Sequence, residues 1–282
     1  MTSIPAPIRP RRVLPGFSLT MGITLLYLTF IVLIPVLALV LRGAEIGPER
    51  FWAIVTAPRA LAAFRVTLTA ALIATIFNAL YGLLMAWVLV RYEFPGKRVL
   101  DALMDVPFAL PTAVAGLSLT ALFSANGWFG AVLEPAGISI VYTIWGVALA
   151  MAFTSVPFVV RSVQPVLEQL DPALEQAAVT LGARPWTIFR RVVFPAILPS
   201  YLAGCTIAFA RSLGEFGAIV FIAGNLPFRT EIAALLAYIR LEEYDYTGAS
   251  AIALVLLLFA LLLLGVSNLL QARAMRYRGN RP

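Results

Sequence analysis

The chain has 282 residues, of which 61% are apolar and 12% charged. A soluble domain carries about 25% charged residues, so this composition leaves too few polar side chains to cover a globular surface and excludes a soluble enzyme. The formal net charge is +7, but the basic residues gather at the ends of apolar runs, which points to orientation in a lipid membrane and not to nucleic acid.

The first twelve residues, 1–12, carry Pro5, Pro7 and Pro10 with Arg9, Arg11 and Arg12, and read as a mobile cytoplasmic tail. The run 13–41 that follows is charge-free. It is longer than the roughly 7–15 residues of a cleavable signal core, so an uncleaved anchor is expected. Further charge-free stretches occupy 66–90, 106–133, 135–160 and 246–271. Another, 192–210, is followed by Arg211, Glu215 and the apolar piece 216–228. Each is long enough for the roughly 20 residues a spanning helix needs. Helices satisfy their own backbone in hydrocarbon, and alternating ten-residue barrel strands are absent. The expectation is an all-α integral membrane protein of six transmembrane helices, at 13–41 and at about 62–90, 101–124, 138–160, 193–222 and 247–271.

Within the third span Pro107, Pro111 and Gly116 predict a kink, or a break that lines a pathway. Asn126-Gly127-Trp128 reads as a turn with an interfacial aromatic. In the last outer loop Ile232, Leu235, Leu236 and Ile239 recur at helical spacing among Glu231, Glu242, Glu243 and Asp245, which predicts a short interfacial helix. Gly204, Ala208, Ala210 and Gly214 form a small-residue stripe suited to close helix packing. Tyr81, Trp87 and Tyr92 read as core or belt aromatics.

Loop charges set the orientation. Arg9, Arg11, Arg12, Arg91, Lys97, Arg98, Arg161, Arg184, Arg190, Arg191, Arg273, Arg276, Arg278 and Arg281 fall on one face. Arg42, Arg50, Arg59, Arg65, Arg229 and Arg240 fall on the other. The richer face is expected inside, with both termini. The chain has one cysteine, Cys205, and no histidine, so an intrachain disulfide, His-based metal sites and Ser-His-Asp or Cys-His pairs are excluded. No metal and no cofactor are expected.

The cytoplasmic loop 161–191 is more than a connector. Asp171-Pro172 is a helix start, an N-cap acceptor followed by proline. Leu174, Ala177, Ala178 and Leu181 follow on one apolar face, and Gly182 suits the left-handed residue that ends a helix. Pro185 starts a second helix, with Trp186 and Phe189 on its apolar side. The pattern alone fits equally an ordinary amphipathic surface helix and a helix that drops into a groove on a partner.

The segment Glu175-Gln176-Ala177-Ala178-Val179-Thr180-Leu181-Gly182, with Val192-x-Phe194-Pro195 after it, resembles the EAA loop of binding-protein-dependent type I ABC importer permeases. That motif reads Glu-Ala-Ala, three residues, Gly, nine residues, Ile-x-Leu-Pro, and the spacing from Gly182 to Val192 agrees. Gln176 stands where Glu is usual, with Glu175 one place earlier; Val192 replaces Ile and Phe194 replaces Leu. The departure at Gln176 shifts the acidic contact toward Glu175. The stretches 12–17 (Arg-Val-Leu-Pro-Gly-Phe), 108–116 (Phe-Ala-Leu-Pro-Thr-Ala-Val-Ala-Gly), 210–217 (Ala-Arg-Ser-Leu-Gly-Glu-Phe-Gly) and 243–246 (Glu-Tyr-Asp-Tyr) are similar to sulfate/thiosulfate permeases of that family. The Leu-Gly-Glu-Phe-Gly element is shared with molybdate permeases, so a molybdate or tungstate permease of the same architecture stays open.

The resemblance implies a type I permease fold over 60–272, followed by a cytoplasmic tail at 273–282. It implies a coupling helix in which Glu175, Gln176, Ala177, Ala178 and Gly182 meet a separate ATP-binding ABC subunit, present in two copies. It also implies a second, related permease subunit, a periplasmic sulfate/thiosulfate-binding protein and a place in the bacterial inner membrane, with transport by alternating access. The chain itself is not expected to be an enzyme: its only lysine, Lys97, lacks the Gly-x4-Gly-Lys-Ser/Thr context of a P-loop. Bringing a dianion inward against 100 mV costs about 4.6 kcal/mol, twice the 2.3 for one charge, so uptake must be coupled. A stand-alone secondary transporter would carry repeated intramembrane carboxylates or half-helices, and only Glu215 falls well inside a span. Arg211 and Glu215, four apart, share a helix face. They form either a structural pair that locks the fifth span or a gate or anion-path element.

Overall fold

A computed structural model describes residues 17–279; the tail expected at 1–12 and the start of the run at 13–41 lie outside the described residues. Helix α1 joins Phe17–Leu28, a π-helical turn at Thr29–Leu33, and Ile34–Glu45, so it runs past 41. Nearly all its apolar side chains are exposed. Its contact with the body is made at Gly43, where a Cβ would come within 2.4 Å of Leu254 Cδ2. A helix that is apolar all round and unburied presents itself to lipid.

Helix α2 is Pro48–Val55 and α3 is Pro58–Arg91. At 34 residues α3 is about 50 Å long, more than the roughly 30 Å of hydrocarbon it must cross. The third span expected at 101–124 is not a kinked rod. It is α4, Lys97–Ala109, and α5, Thr112–Phe123, meeting at 114°. Pro107 sits inside α4, and the break falls at Leu110, which is extended before Pro111; proline pushes the residue before it out of the helical region. Gly116 does not break α5. It lets α5 approach residues 217–222, where a Cβ would lie 2.3 Å from the Ala218 carbonyl oxygen.

After the single turn α6, Gly130–Leu133, helix α7 spans Ile144–Glu168. It starts later than 138 and passes beyond 160, through Arg161, so the loop expected at 161–191 is shorter. Helix α8 is Pro172–Thr180. The second surface helix expected at Pro185 is not separate: Pro185–Leu213 is one helix, α9, with a π-helical turn at Phe189–Val193. The wider turn accommodates Pro195, which has no N–H to continue the ladder. Helix α9 therefore ends at Leu213, short of 222; the chain opens over 214–216 and resumes as α10, Gly217–Ile222. Helix α11, Ala233–Glu242, forms where the spacing of Ile232, Leu235, Leu236 and Ile239 predicts a helix, and it packs on protein: Ala233, Leu235 and Leu236 are buried against α3 and the last helix. That last helix, α12, covers Tyr246–Gly279, so most of the expected tail at 273–282 is helical.

Among the described residues five helices are long and apolar enough to cross a membrane, or six counting the bent α4–α5 pair as one span. Small residues set the spacing of the central pair. Helix α3 buries Ala63, Ala70, Ala71, Ala74, Gly82 and Ala86, and a Cβ at Gly82 would meet Val159 of α7 at 2.8 Å. Gly204 of α9 faces Ser162 and the Phe158 carbonyl in the same way, as its small-residue stripe predicts. One core cluster lies around Val66, Met151 and Ile219, a second around Leu89, Val163 and Ile197, and a third around Ala60, Leu236 and Ile252.

Candidate functional site

The loop between α7 and α9 forms as its residues dictate. The Asp171 carboxylate accepts a hydrogen bond from the Ala173 N–H at 2.9 Å, with Pro172 opening α8. At the other end Gly182 has φ +79°. Its N–H donates to the Val179 carbonyl, and the Ala183 N–H donates to the Ala178 carbonyl. This pair of bonds is a Schellman closure, for which a residue without Cβ is favoured.

Helix α8 has two faces. Inward, the Arg91 guanidinium at the end of α3 donates to the Glu175 carboxylate, and Ala178 packs on the second core cluster. Arg91 also lies 5.2 Å over the Trp87 ring, and Trp87 meets Phe189 edge to face. Trp87 is thus a core aromatic that supports the loop, and Tyr92 is exposed. Outward, Gln176, Ala177 and Gly182 are exposed. So are Leu174, Val179, Leu181 and Trp186, Leu181 at 87%. The apolar face expected from Leu174, Ala177, Ala178 and Leu181 is therefore split: Ala178 turns inward and the other three turn to the surface. Glu175, expected to reach a partner, is held by Arg91 of its own chain.

Arg211 and Glu215 do meet, with Nη1 2.7 Å from Oε2. They are not on one helix face, because α9 ends at Leu213 and Glu215 stands in the break. Its other oxygen accepts from the Ala218 N–H at 3.1 Å, at the start of α10. Glu215 is 1% exposed and the Arg211 side chain 36%. The carboxylate thus holds both sides of the break.

Three polar groupings escaped the sequence reading. Arg59, at the start of α3, makes a two-pronged bond to the buried Glu231, 2.9 Å from Nε to Oε2 and 2.7 Å from Nη2 to Oε1. Nothing local in the sequence announces this pair, whose members are 172 positions apart. Asn78 of α3 donates to Ser155 Oγ at 2.8 Å and to the Ala152 carbonyl at 3.1 Å, both on α7. Ser212 of α9 donates to the same Ser155 at 3.1 Å. A signal for this cluster was present: a lone amide in an otherwise apolar run must find a partner among the helices. Arg161, counted as a loop charge, is a third case. It reaches from α7 to Asp101 at 2.6 Å and Asp105 at 2.7 Å on α4.

The family model described as "Binding-protein-dependent transport system inner membrane component" matches residues 78–276. The chain is 54% identical over 266 residues to the sulfate transport system permease protein CysT of Escherichia coli (strain K12), covering 94% of this chain and 96% of that protein. It is 49% identical over 256 residues to the CysT of Synechococcus elongatus, covering 91% and 92%. The fold resembles a chain of a bacterial ABC transporter involved in the import of the acidic polysaccharide alginate. The TM-score there is 0.75 at 18% identity, covering 92% of this chain and 96% of that one.

Proposed function

From the fact that the chain belongs to the family of binding-protein-dependent transport system inner membrane components, we propose that it is a permease subunit of an ATP-driven ABC importer for sulfate or thiosulfate. Likeness to sulfate permeases along almost the whole length carries this reading. The permease core is 60–272, with α1 as a peripheral addition. The partners are two copies of an ATP-binding subunit, a second related permease and a periplasmic binding protein for the anion. A periplasmic protein is bound to the alginate transporter in a structure of that complex. The membrane is the bacterial inner membrane, with both termini cytoplasmic.

In this reading α8 is the coupling helix. Its outer face of Leu174, Ala177, Val179 and Leu181 is apolar and unburied, as a peg that fits a groove on the ATP-binding subunit requires. Gln176 and Gly182 border that face. Glu175 and Ala178 fix the peg to the body, so a pull on α8 is carried through Arg91 into α3 and through Gly182 into α9. ATP-driven closure of the two ATP-binding subunits draws the pegs together and swings the spans, and hydrolysis resets them. The Arg211–Glu215 pair anchors the α9–α10 break. An arginine whose charge is cancelled by a carboxylate offers an oxyanion little field.

The test is isolation of the tagged chain with its complex, followed by radiolabelled sulfate uptake with thiosulfate and molybdate as competitors. The expected result is a bound ATP-binding subunit and ATP-dependent sulfate uptake. Uptake by the chain without that subunit would overturn the importer reading. Preference for molybdate would overturn the substrate.

A further inference from the structure

Several arginines on the spans have acidic partners: Arg59 has Glu231, Arg91 has Glu175, Arg161 has Asp101 and Asp105, and Arg211 has Glu215. Arg65 of α3 has none among the described residues, and neither do Arg98 of α4 or Arg190 and Arg191 of α9; of these four, Arg65 is the one beside the start of α7. Among the described residues it makes no ion pair and no hydrogen bond. It is exposed, two turns into α3 and about 10 Å along the helix from Pro58.

Arg65 and Thr69, both exposed, border an open pocket of about 480 Å³. Leu61, Ala62 and Val66 of α3, Ile144 at the start of α7 and Phe228 complete its lining, and no carboxylate does. The α3 and α7 ends that form it are those on the periplasmic side in the proposed orientation. Thr69 adds a second group. Thr67 and Thr75 on the same helix return their hydroxyls to the carbonyls of Ala63 and Ala71. The Thr69 hydroxyl makes no hydrogen bond among the described residues, although helical threonines commonly bond back in this way.

The wall of the pocket is strained. Phe228 has φ +64° and is 59% exposed. Tyr142 and Asn225, in the two segments that lead to Ile144 and Phe228, have φ +61° and +47°. An aromatic residue in the left-handed region is a costly conformation that persists where the surroundings impose it, often at ligand clamps.

We propose that Arg65 and Thr69 form the outer contact for the translocated tetrahedral oxyanion, with Phe228 covering it. The inference rests on the oxyanion-importer reading. A guanidinium fork and a hydroxyl donor match two edges of a tetrahedral anion. A single arginine without further clamps lets the anion leave inward.

The experiment measures sulfate transported per ATP hydrolysed by the assembled complex in vesicles, with the loaded binding protein in excess. Arg65→Ala is expected to lower that ratio about ten-fold or more, while ATP hydrolysis stimulated by the binding protein persists. Arg65→Lys should recover part of the loss, and Thr69→Val should cause a smaller one. An unchanged ratio in Arg65→Ala would overturn the proposal. So would loss of the second permease from the Arg65→Ala complex, which would make Arg65 an intersubunit ion-pair residue. If the wild-type complex moves neither sulfate nor molybdate, the parent reading has failed, whatever Arg65 does.

Discussion

Glu231 is 1% exposed, while its partner Arg59 keeps 32% of its side chain accessible. The two ends of this ion pair are therefore not equivalent. Arg59→Ala strands a buried carboxylate, which costs about 3 kcal/mol. Glu231→Gln leaves a neutral group that still bonds, while the arginine turns to water, at a cost of about 1 kcal/mol. The thermal unfolding midpoint in detergent should fall further for Arg59→Ala, and the reverse order would show that Glu231 is not the buried end. The two pairs also mark what a linear reading can reach at this scale. Arg211 and Glu215 are four positions apart and could be paired on spacing alone. Arg59 and Glu231 come together only because α11 folds back onto the start of α3. Asn78 sits between these cases: its need for a partner was legible, but Ser155 and Ser212 were not.

Helices α5 and α10 touch at two glycines, and the neighbours of each predict different costs. A Cβ on Gly116 would meet Ala218 backbone, the oxygen at 2.3 Å and Cα at 2.7 Å. A Cβ on Gly217 would meet the Thr112 Oγ1 at 2.2 Å, a side-chain atom that can rotate away. Overpacking costs about 1–3 kcal/mol; Gly116→Ala should lie at the upper end and Gly217→Ala at the lower, read as shifts in thermal midpoint. Equal shifts would mean that the backbones can slide apart. The coupling helix gives a complementary case. Leu181→Asp changes a side chain 87% exposed, so stability should move by no more than about 0.5 kcal/mol, while co-purification of the ATP-binding subunit should fall sharply. A variant that keeps the subunit would place the docking face elsewhere. The caps of α8 were legible because Asp-Pro and Gly act within a single turn. The continuity of α9 was not, because Pro195 and Pro199 look like stops. A π-helical turn absorbs Pro195, and Pro199 stays inside the helix. Nor did the pattern of α11 distinguish a helix lying on lipid from one buried under α3 and α12, since both need the same apolar stripe.

At the scale of the whole chain, helix count and loop charge together dictate which side α8 faces. Six crossings return the chain to its starting side, and the bent α4–α5 pair must act as one crossing for that count to hold. If it did not, α8 would lie on the opposite side from the N-terminus. Cys205 is the single cysteine, so Cys205→Ser gives a background in which a new thiol reports its own side. Pro95 and Ala131 are both exposed, at the α3–α4 connection and on α6. Pro95→Cys lies on the same predicted side as α8 but away from its docking face. With the richer basic loops inside, an impermeant maleimide should label Ala131→Cys in intact spheroplasts and Pro95→Cys only after the membrane is opened. The reverse pattern would put α8 in the periplasm, where no ATP-binding subunit could reach it. Labelling of both in intact cells would mean that α4 and α5 do not together cross the bilayer, and the 114° bend would then be a re-entrant loop.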